Sequence, residues 1–376
     1  MHKAAVILSP QLLFSGILYN LAAIKRNGIN MKQTYHHIGI IGFGARGQQL
    51  AQMVVSQLPA YGKITAFADS DENLVIPADL YHNCHGLKRY LTYQELLKDP
   101  EIDTVIITTY PETHVEISIA AMDAGKAVLC DKPVAGNLED AVKLYDYVKK
   151  HPCKFAIGLN LPFYPSARKI KELIEKGTIG NLLCIRGMCD VGASFGEGVI
   201  MRKFAGQPEG LILGKLTHDT DLIQYFADSY AEEVTGHSAN FLWKRHGDLA
   251  GSHDTAVIAG RMNNGILFSQ SLTSCGATYG RVMELWGSLG LIRADINSET
   301  ITIALNGEAE QTLQLPPRPG SHRGGDKIMF AEFLDYVDSD GKEPLRPERI
   351  LTSIMIPLAA MKQKTVQTGE WFRMHV

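Results

Sequence analysis

The chain has 376 residues, 45% hydrophobic and 20% charged, and its 37 basic and 40 acidic side chains leave a formal charge of −3. That length accommodates two ordinary domains with a full core each, and the composition is that of a globular chain. With no run of like charges, there is no basic footprint for a nucleic acid or an anionic membrane.

The first stretch, Ala4 to Ile24, is mostly apolar but is broken by Pro10 and carries Gln11, Ser15 and Asn20. Behind His2 and Lys3 it reads as a signal peptide or a membrane anchor, of a length that only just spans a bilayer. The competing reading is a translation start placed too far upstream. Met31 is followed by Lys-Gln-Thr-Tyr-His-His and then the first strand, as in an ordinary cytosolic enzyme. The second reading is preferred, so the expected location is the cytoplasm, with export or anchoring as the alternative. Residues 1–35 are set aside as an extension.

From His37 strands and helices alternate. Ile38 to Ile41 is a short apolar run, and Leu50, Met53, Val54 and Leu58 then recur at helical spacing. Ile64 to Ala68 is a second strand, closed by Asp69. Thr104 to Thr109 and Ala127 to Cys130 follow as buried-looking strands around a helix that carries Val115, Ile119 and Met122 and ends at Gly125. Asn137, with Asp140 three residues on, starts another helix as its N-cap. Near-continuous apolar strands separated by amphipathic helices predict a parallel sheet covered on both faces, an α/β Rossmann domain over 36–153.

Past residue 153 the rhythm changes. A helix runs from Pro165 to about Gly177, and a second begins around Thr217. Strand-like runs then dominate: Glu232–Lys244, Asp254–Met262, Gly265–Ser274, Arg281–Trp286, Ile301–Leu305 and Gln311–Leu315, some joined by turns such as Asn263-Asn264-Gly265. Two helices, Asp326–Val337 and Pro347–Thr368, close the chain. Residues 154–376 are therefore expected to form an α+β domain with a large, mostly antiparallel open sheet. The six cysteines form no CxxC pair, which fits reduced thiols and no metal.

Three constellations carry chemistry. Gly42-Phe43-Gly44-Ala45-Arg46-Gly47 follows a strand and opens a helix, with Asp69 twenty-two residues beyond Gly47 at the end of the next strand. Glycines let backbone amides approach a pyrophosphate, the helix N-terminus favours its charge, and the acid suits an adenosine ribose. Asp69 repels a 2′-phosphate, so NAD is favoured, while Arg46 keeps NADP possible. The second is Asp131-Lys132-Pro133, at the carboxyl end of a strand, where ligands bind in doubly wound sheets. Lys132 there can stabilise negative charge on a substrate oxygen, or be a solvated surface lysine. The third is Gly214-Lys215-Leu216-Thr217-His218-Asp219-Thr220-Asp221, read as a helix start. His218 near the helix N-terminus would stay neutral and suit a general base, with Asp219 or Asp221 as alternative caps.

Together these segments resemble the Gfo/Idh/MocA family, named for glucose–fructose oxidoreductase, inositol dehydrogenase and a rhizopine-catabolism protein. The resemblance covers residues 36 to 376. It rests on the glycine motif, on Thr108-Thr109-Tyr110-Pro111-Glu112-Thr113-His114, on Ala124 to Pro133, on Pro165 with Gly177-Thr178-Ile179-Gly180, and on the His218 segment. It implies a Rossmann domain, a substrate domain whose sheet makes a homodimer or homotetramer, and hydride transfer between nicotinamide C4 and a secondary alcohol or ketone of a sugar, cyclitol or related ring. It makes Lys132 and His218 the catalytic pair. The cofactor set becomes Gly42, Phe43, Gly44, Ala45, Arg46, Gly47, Asp69, Thr109, Pro111, His114, Asp131 and Lys132. Substrate contacts are expected from Lys132, Asn160, Tyr164, Lys215, His218 and Asp221. Two departures stand out: Gly214 lies where many inositol dehydrogenases have aspartate, and Asn160-Leu161-Pro162-Phe163-Tyr164 lacks a frequent arginine. The alternatives are an NAD-assisted glycosidase and a non-catalytic cofactor-binding member.

Overall fold

The computed structural model describes residues 34–84, 86–192, 210–245, 251–317, 319–339, 347–362 and 366–367. The apolar stretch Ala4 to Ile24 lies outside them, and Val366–Gln367, expected inside a last helix running to Thr368, instead form a strand.

The first sheet is wholly parallel. Its strands are β1 (His36–Ile41), β2 (Gly62–Ala68), β3 (Lys88–Tyr90), β4 (Thr104–Ile107), β5 (Ala127–Cys130) and β6 (Phe155–Ile157), in the order β3-β2-β1-β4-β5-β6. The connecting helices are α1 (Ala45–Gln57), α2 (Ala78–Asn83), α3 (Tyr93–Leu97), α4 (Pro111–Asp123) and α5 (Leu138–Lys150). Ile38, Ile40, Val105, Ile106, Ile107 and Val128 are all fully buried, which is why these strands read as apolar runs rather than alternating ones. The Asn137 side chain accepts from the Asp140 amide and starts α5, as its sequence position predicts. The strand order reverses between β1 and β4, so a crevice opens beyond their carboxyl ends. β6 carries this sheet to Ile157, past the change of rhythm at residue 153.

Among the described residues the second sheet has nine strands: β7 (Leu182–Asp190), β8 (Ala231–Ala239), β9 (Thr255–Met262), β10 (Leu267–Thr273), β11 (Gly280–Gly287), β12 (Gly290–Asp295), β13 (Thr300–Leu305), β14 (Gln311–Gln314) and β15 (Val366–Gln367). Their order is β14-β13-β12-β11-β7-β10-β9-β8-β15, antiparallel except between β7 and β10. One face, with Ile185, Cys189, Ile258, Leu272, Met283 and Ile292, is buried with residues of α6 (Pro165–Glu175) and α7 (Gly210–Ala227). Two further helices, α8 (Gly325–Asp338) and α9 (Glu348–Lys362), return to the first sheet. Phe330, Phe333 and Leu334 of α8 and Ile350, Leu351 and Ile354 of α9 belong to the nucleotide-domain core. Ile356, Ala359 and Ala360, further along α9, belong to the second core, so this helix fastens the two sheets together. Among the described residues, no helix is long and apolar enough to cross a membrane.

Candidate active site

The glycine turn does three separate jobs. Gly42 has φ 86°, a conformation that L side chains rarely adopt, and a Cβ there would lie 2.7 Å from the Thr109 nitrogen. A Cβ on Gly47 would lie 2.4 Å from the Gly42 carbonyl oxygen, so only glycine lets α1 lie this close to β1. Gly44 is different: it is exposed, a Cβ on it would meet nothing within 4 Å, and as N-cap of α1 it makes no side-chain cap. The first-turn amides of α1, from Ala45 onwards, have no intrahelical partners by geometry. Beyond Gly44 there is thus open space at a helix N-terminus, which suits a pyrophosphate.

Asp69 ends β2 beside this turn. Its carboxylate accepts from the Phe43 amide at 2.7 Å and from the Asp71 amide at 3.0 Å. The Phe43 ring is fully buried and stacks on Phe67, so Phe43 shapes the turn from below and its amide is already engaged. Thr108 donates its hydroxyl hydrogen to the Gly42 carbonyl, which brings the Thr109–Pro111 loop alongside the glycine turn. Pro111 is the first residue of α4. His114 is buried, with Nδ1 2.8 Å from the Pro133 carbonyl and Nε2 3.0 Å from the Thr109 carbonyl. Burial lowers its pKa. Both ring nitrogens face backbone carbonyls, so His114 ties the loops after β4 and β5 together rather than reaching a ligand.

Arg46 is engaged within the protein. Its guanidinium donates to Asp326 at 2.8 Å and lies 3.4 Å from Asp131. Two carboxylates thus engage the group expected to accommodate a 2′-phosphate. Asn160 likewise donates to Asp326, at 2.7 Å, and both side chains are buried.

Lys132 follows β5, and its Nζ donates to the Gly214 carbonyl of α7 at 2.8 Å. His218 lies one turn further along the same helix, 9% exposed, and its Nδ1 has no hydrogen-bond partner among the described residues. Its pKa is well below the ordinary value. Burial is the main cause, and Lys132, Arg281, Lys215 and His322 each add repulsion against protonation. The expected cause was a helix N-terminus, but α7 already runs from Gly210, so His218 is mid-helix and the dipole is not what keeps it neutral. The same register removes the capping roles of Asp219 and Asp221. Asp219 faces Arg281 of β11 at 2.6 Å, with both side chains buried. Asp221, expected beside the substrate, is 1% exposed and pairs with Arg349 of α9, so it joins two helices. Lys215 sits over the Tyr279 ring at 5.5 Å, and burial raises the pKa of the buried Tyr164 hydroxyl. Arg281, His322 and Asp326 were not singled out from the sequence. Arg281 is one charge in an otherwise ordinary strand, and the partners Arg46 and Asn160 that meet Asp326, in the first turn of α8, are distant in the chain.

Residues 36–159 match the model of an oxidoreductase family with an NAD-binding Rossmann fold, and 167–293 match that of the GFO/IDH/MocA C-terminal domain. The chain belongs to the Gfo/Idh/MocA family. A myo-inositol 2-dehydrogenase of Thermotoga maritima is 30% identical over 72% of this chain and 78% of that protein. A 1,5-anhydro-D-fructose reductase of Ensifer adhaerens is 30% identical over 75% of this chain and 84% of that one. Among solved structures, a probable dehydrogenase from Thermotoga maritima has a TM-score of 0.73 at 26% identity, covering 89% of this chain and 99% of that chain. This family member is thus an oxidoreductase with an NAD-binding domain, and its residues fit the cofactor. Open space beyond Gly44 and the α1 amides suit the pyrophosphate, and Asp69 lies where β2 ends beside them.

Proposed function

We propose that this chain is an NAD-dependent dehydrogenase or reductase acting on a secondary alcohol, or the matching ketone, of a sugar, cyclitol or related ring. The observation that carries the reading is His218, a buried imidazole held neutral beside Lys132 with a ring nitrogen that no described residue satisfies. Bound NAD supplies the hydride acceptor. In the oxidising direction His218 removes the hydroxyl proton, for which a neutral imidazole is required. The Lys132 ammonium stabilises the negative charge that develops on that oxygen. In the reducing direction the protonated His218 returns the proton, and Lys132 polarises the carbonyl. Relatives named for myo-inositol and 1,5-anhydro-D-fructose support a polyhydroxylated ring as substrate.

The outer face of the second sheet supports a second copy of this chain as partner. Val282, Met188, Ser271 and Val257 lie side by side across β11, β7, β10 and β9, and Met188 and Val257 are 46% and 53% exposed. Trp286, 44% exposed, extends this face along β11. An apolar strip on central strands is what a homo-oligomer covers. Sedimentation of the wild type as a dimer or tetramer, and of Trp286→Glu as a monomer, is the expected result.

The reaction is tested by supplying NAD and NADP against a panel of polyols and keto-sugars while following nicotinamide absorbance. Turnover with NAD supports the reading. Tight NADH binding with no turnover across the panel overturns it in favour of a non-catalytic member. Sugar release from glycosides without net NADH would favour glycoside cleavage.

A further inference from the structure

The turn between β14 and α8 has an unusual backbone conformation. His322, Arg323 and Gly324 are consecutive left-handed residues, with φ of 50°, 54° and 76°. Two of them carry side chains, for which this conformation is unfavourable because the Cβ crowds the following carbonyl oxygen. Strain of this kind persists where the surroundings over-determine it, and it clusters at functional sites.

The surroundings here are specific. His322 Nδ1 lies 2.8 Å from Asp326 Oδ2, and Arg323 donates to Glu299 at 3.0 Å. Gly325 packs so closely on Tyr164 that a Cβ would lie 2.7 Å from its ring. Asp326, 1% exposed, is held in turn by Arg46 and Asn160, so its carboxylate is fixed before His322 meets it. A carboxylate only accepts, so His322 Nδ1 carries the hydrogen and the ring is held in one tautomer. Nε2 is then on the edge turned away from Asp326, on a side chain that remains 42% exposed.

The placement is in the cleft. Arg46 bridges Asp326 to Asp131, the residue before Lys132. A buried carboxylate that orients a half-exposed imidazole is a common way to fix a ring for hydrogen bonding.

We propose that His322 is a specificity-determining residue that hydrogen-bonds, through Nε2, a ring hydroxyl other than the one oxidised, with Asp326 as its positioning residue. The inference rests on the polyol reading above.

The test assays wild type, His322→Ala and His322→Gln with NAD on myo-inositol, scyllo-inositol, D-glucose and their monodeoxy analogues, with NADH binding followed by fluorescence. Loss of one substrate hydrogen bond is expected to raise KM about tenfold in His322→Ala, with a smaller change in kcat and NADH affinity unchanged. The wild type should penalise one deoxy analogue more than the others, and that penalty should vanish in His322→Ala and return in part in His322→Gln. Equal penalties in wild type and variants for every analogue would overturn the assignment of His322 alone. Wild type that binds NADH but turns over no compound would overturn the polyol reading and this inference with it.

Discussion

Lys132 Nζ donates to the main-chain carbonyl of Gly214, 2.8 Å away and one helical turn before His218. Where many inositol dehydrogenases place a carboxylate, this chain rests its lysine on a backbone oxygen. The α7 backbone therefore helps to fix the ammonium. Lys132→Met should lower kcat by about 10²–10³, the usual loss for one donor aimed at developing charge. NADH affinity and Tm should stay close to wild type. A variant retaining full kcat would remove Lys132 from the reaction.

The neutral state of His218 sets a pH profile. Burial, with the neighbouring charges of Lys132, Arg281 and Lys215, places its pKa well below 6.5, so the base form is complete at neutral pH. For alcohol oxidation, kcat/KM should therefore show no loss from His218 protonation until the pH falls well below 6.5. His218→Asn should cost about 10²–10⁴ in kcat/KM, the range for a lost general base. A break at or above pH 6.5 that vanishes in this variant would contradict the assignment.

Gly44 and Gly47 separate binding from folding. At Gly44 an added Cβ meets nothing within 4 Å, so Gly44→Ala should fold with an unchanged Tm yet bind NADH more weakly, because the methyl enters the pyrophosphate space. At Gly47 the Cβ would sit 2.4 Å from the Gly42 carbonyl, which must move. Overpacking of this kind costs about 1–3 kcal/mol, so Gly47→Ala should lose both stability and cofactor affinity. Calorimetry and NADH titration of the two variants check the contrast, which fails if both behave alike.

The Asp219–Arg281 pair supports the floor of the site. Both side chains are buried, 0% and 4% exposed, so removing one leaves the other charge without compensation. Arg281→Leu should destabilise by about 3–5 kcal/mol, and the double change with Asp219→Leu should recover much of this. Urea denaturation gives the comparison, and additive losses in the double variant would refute it.

Much of this was legible from the chain itself. Fully buried parallel strands write themselves as apolar runs, and the glycine turn and Asn137 cap are local devices. β7 was not legible although it is central. Its inward positions include Gly187, where a Cβ would collide with the Gln270 side chain, so the strand shows no apolar alternation. β12 was passed over as well. The Thr-His-Asp-Thr-Asp run resembles a cap and suggests a helix start at Thr217, whereas these residues are buried mid-helix, with Asp219 and Asp221 paired to Arg281 and Arg349 from distant segments. Lys132 and His218 were visible by resemblance. The network of Arg46, Asp326, Asn160 and His322 was not, because it joins positions up to 280 residues apart.

His36 supplies a prediction of opposite sign to that for His218. Its ring is 3% exposed and lies between Asp103 at 3.1 Å and Asp338 at 3.4 Å, at the start of β1 and the end of α8. Burial opposes its protonation, but the two carboxylates outweigh burial and the pKa is raised. The folded state then binds this proton more tightly than the unfolded chain does. The resulting stability is fully present below the unfolded value of 6.5 and is lost as pH rises through the raised folded value. The Tm difference between wild type and His36→Asn should therefore be largest near about pH 5.5 and shrink towards alkaline pH. Taking the difference cancels the opposing contribution of His218, which stabilises the fold less as pH falls below 6.5. Paired thermal melts across this range decide it, and a difference that grows with pH would show that His36 is neutral in the fold.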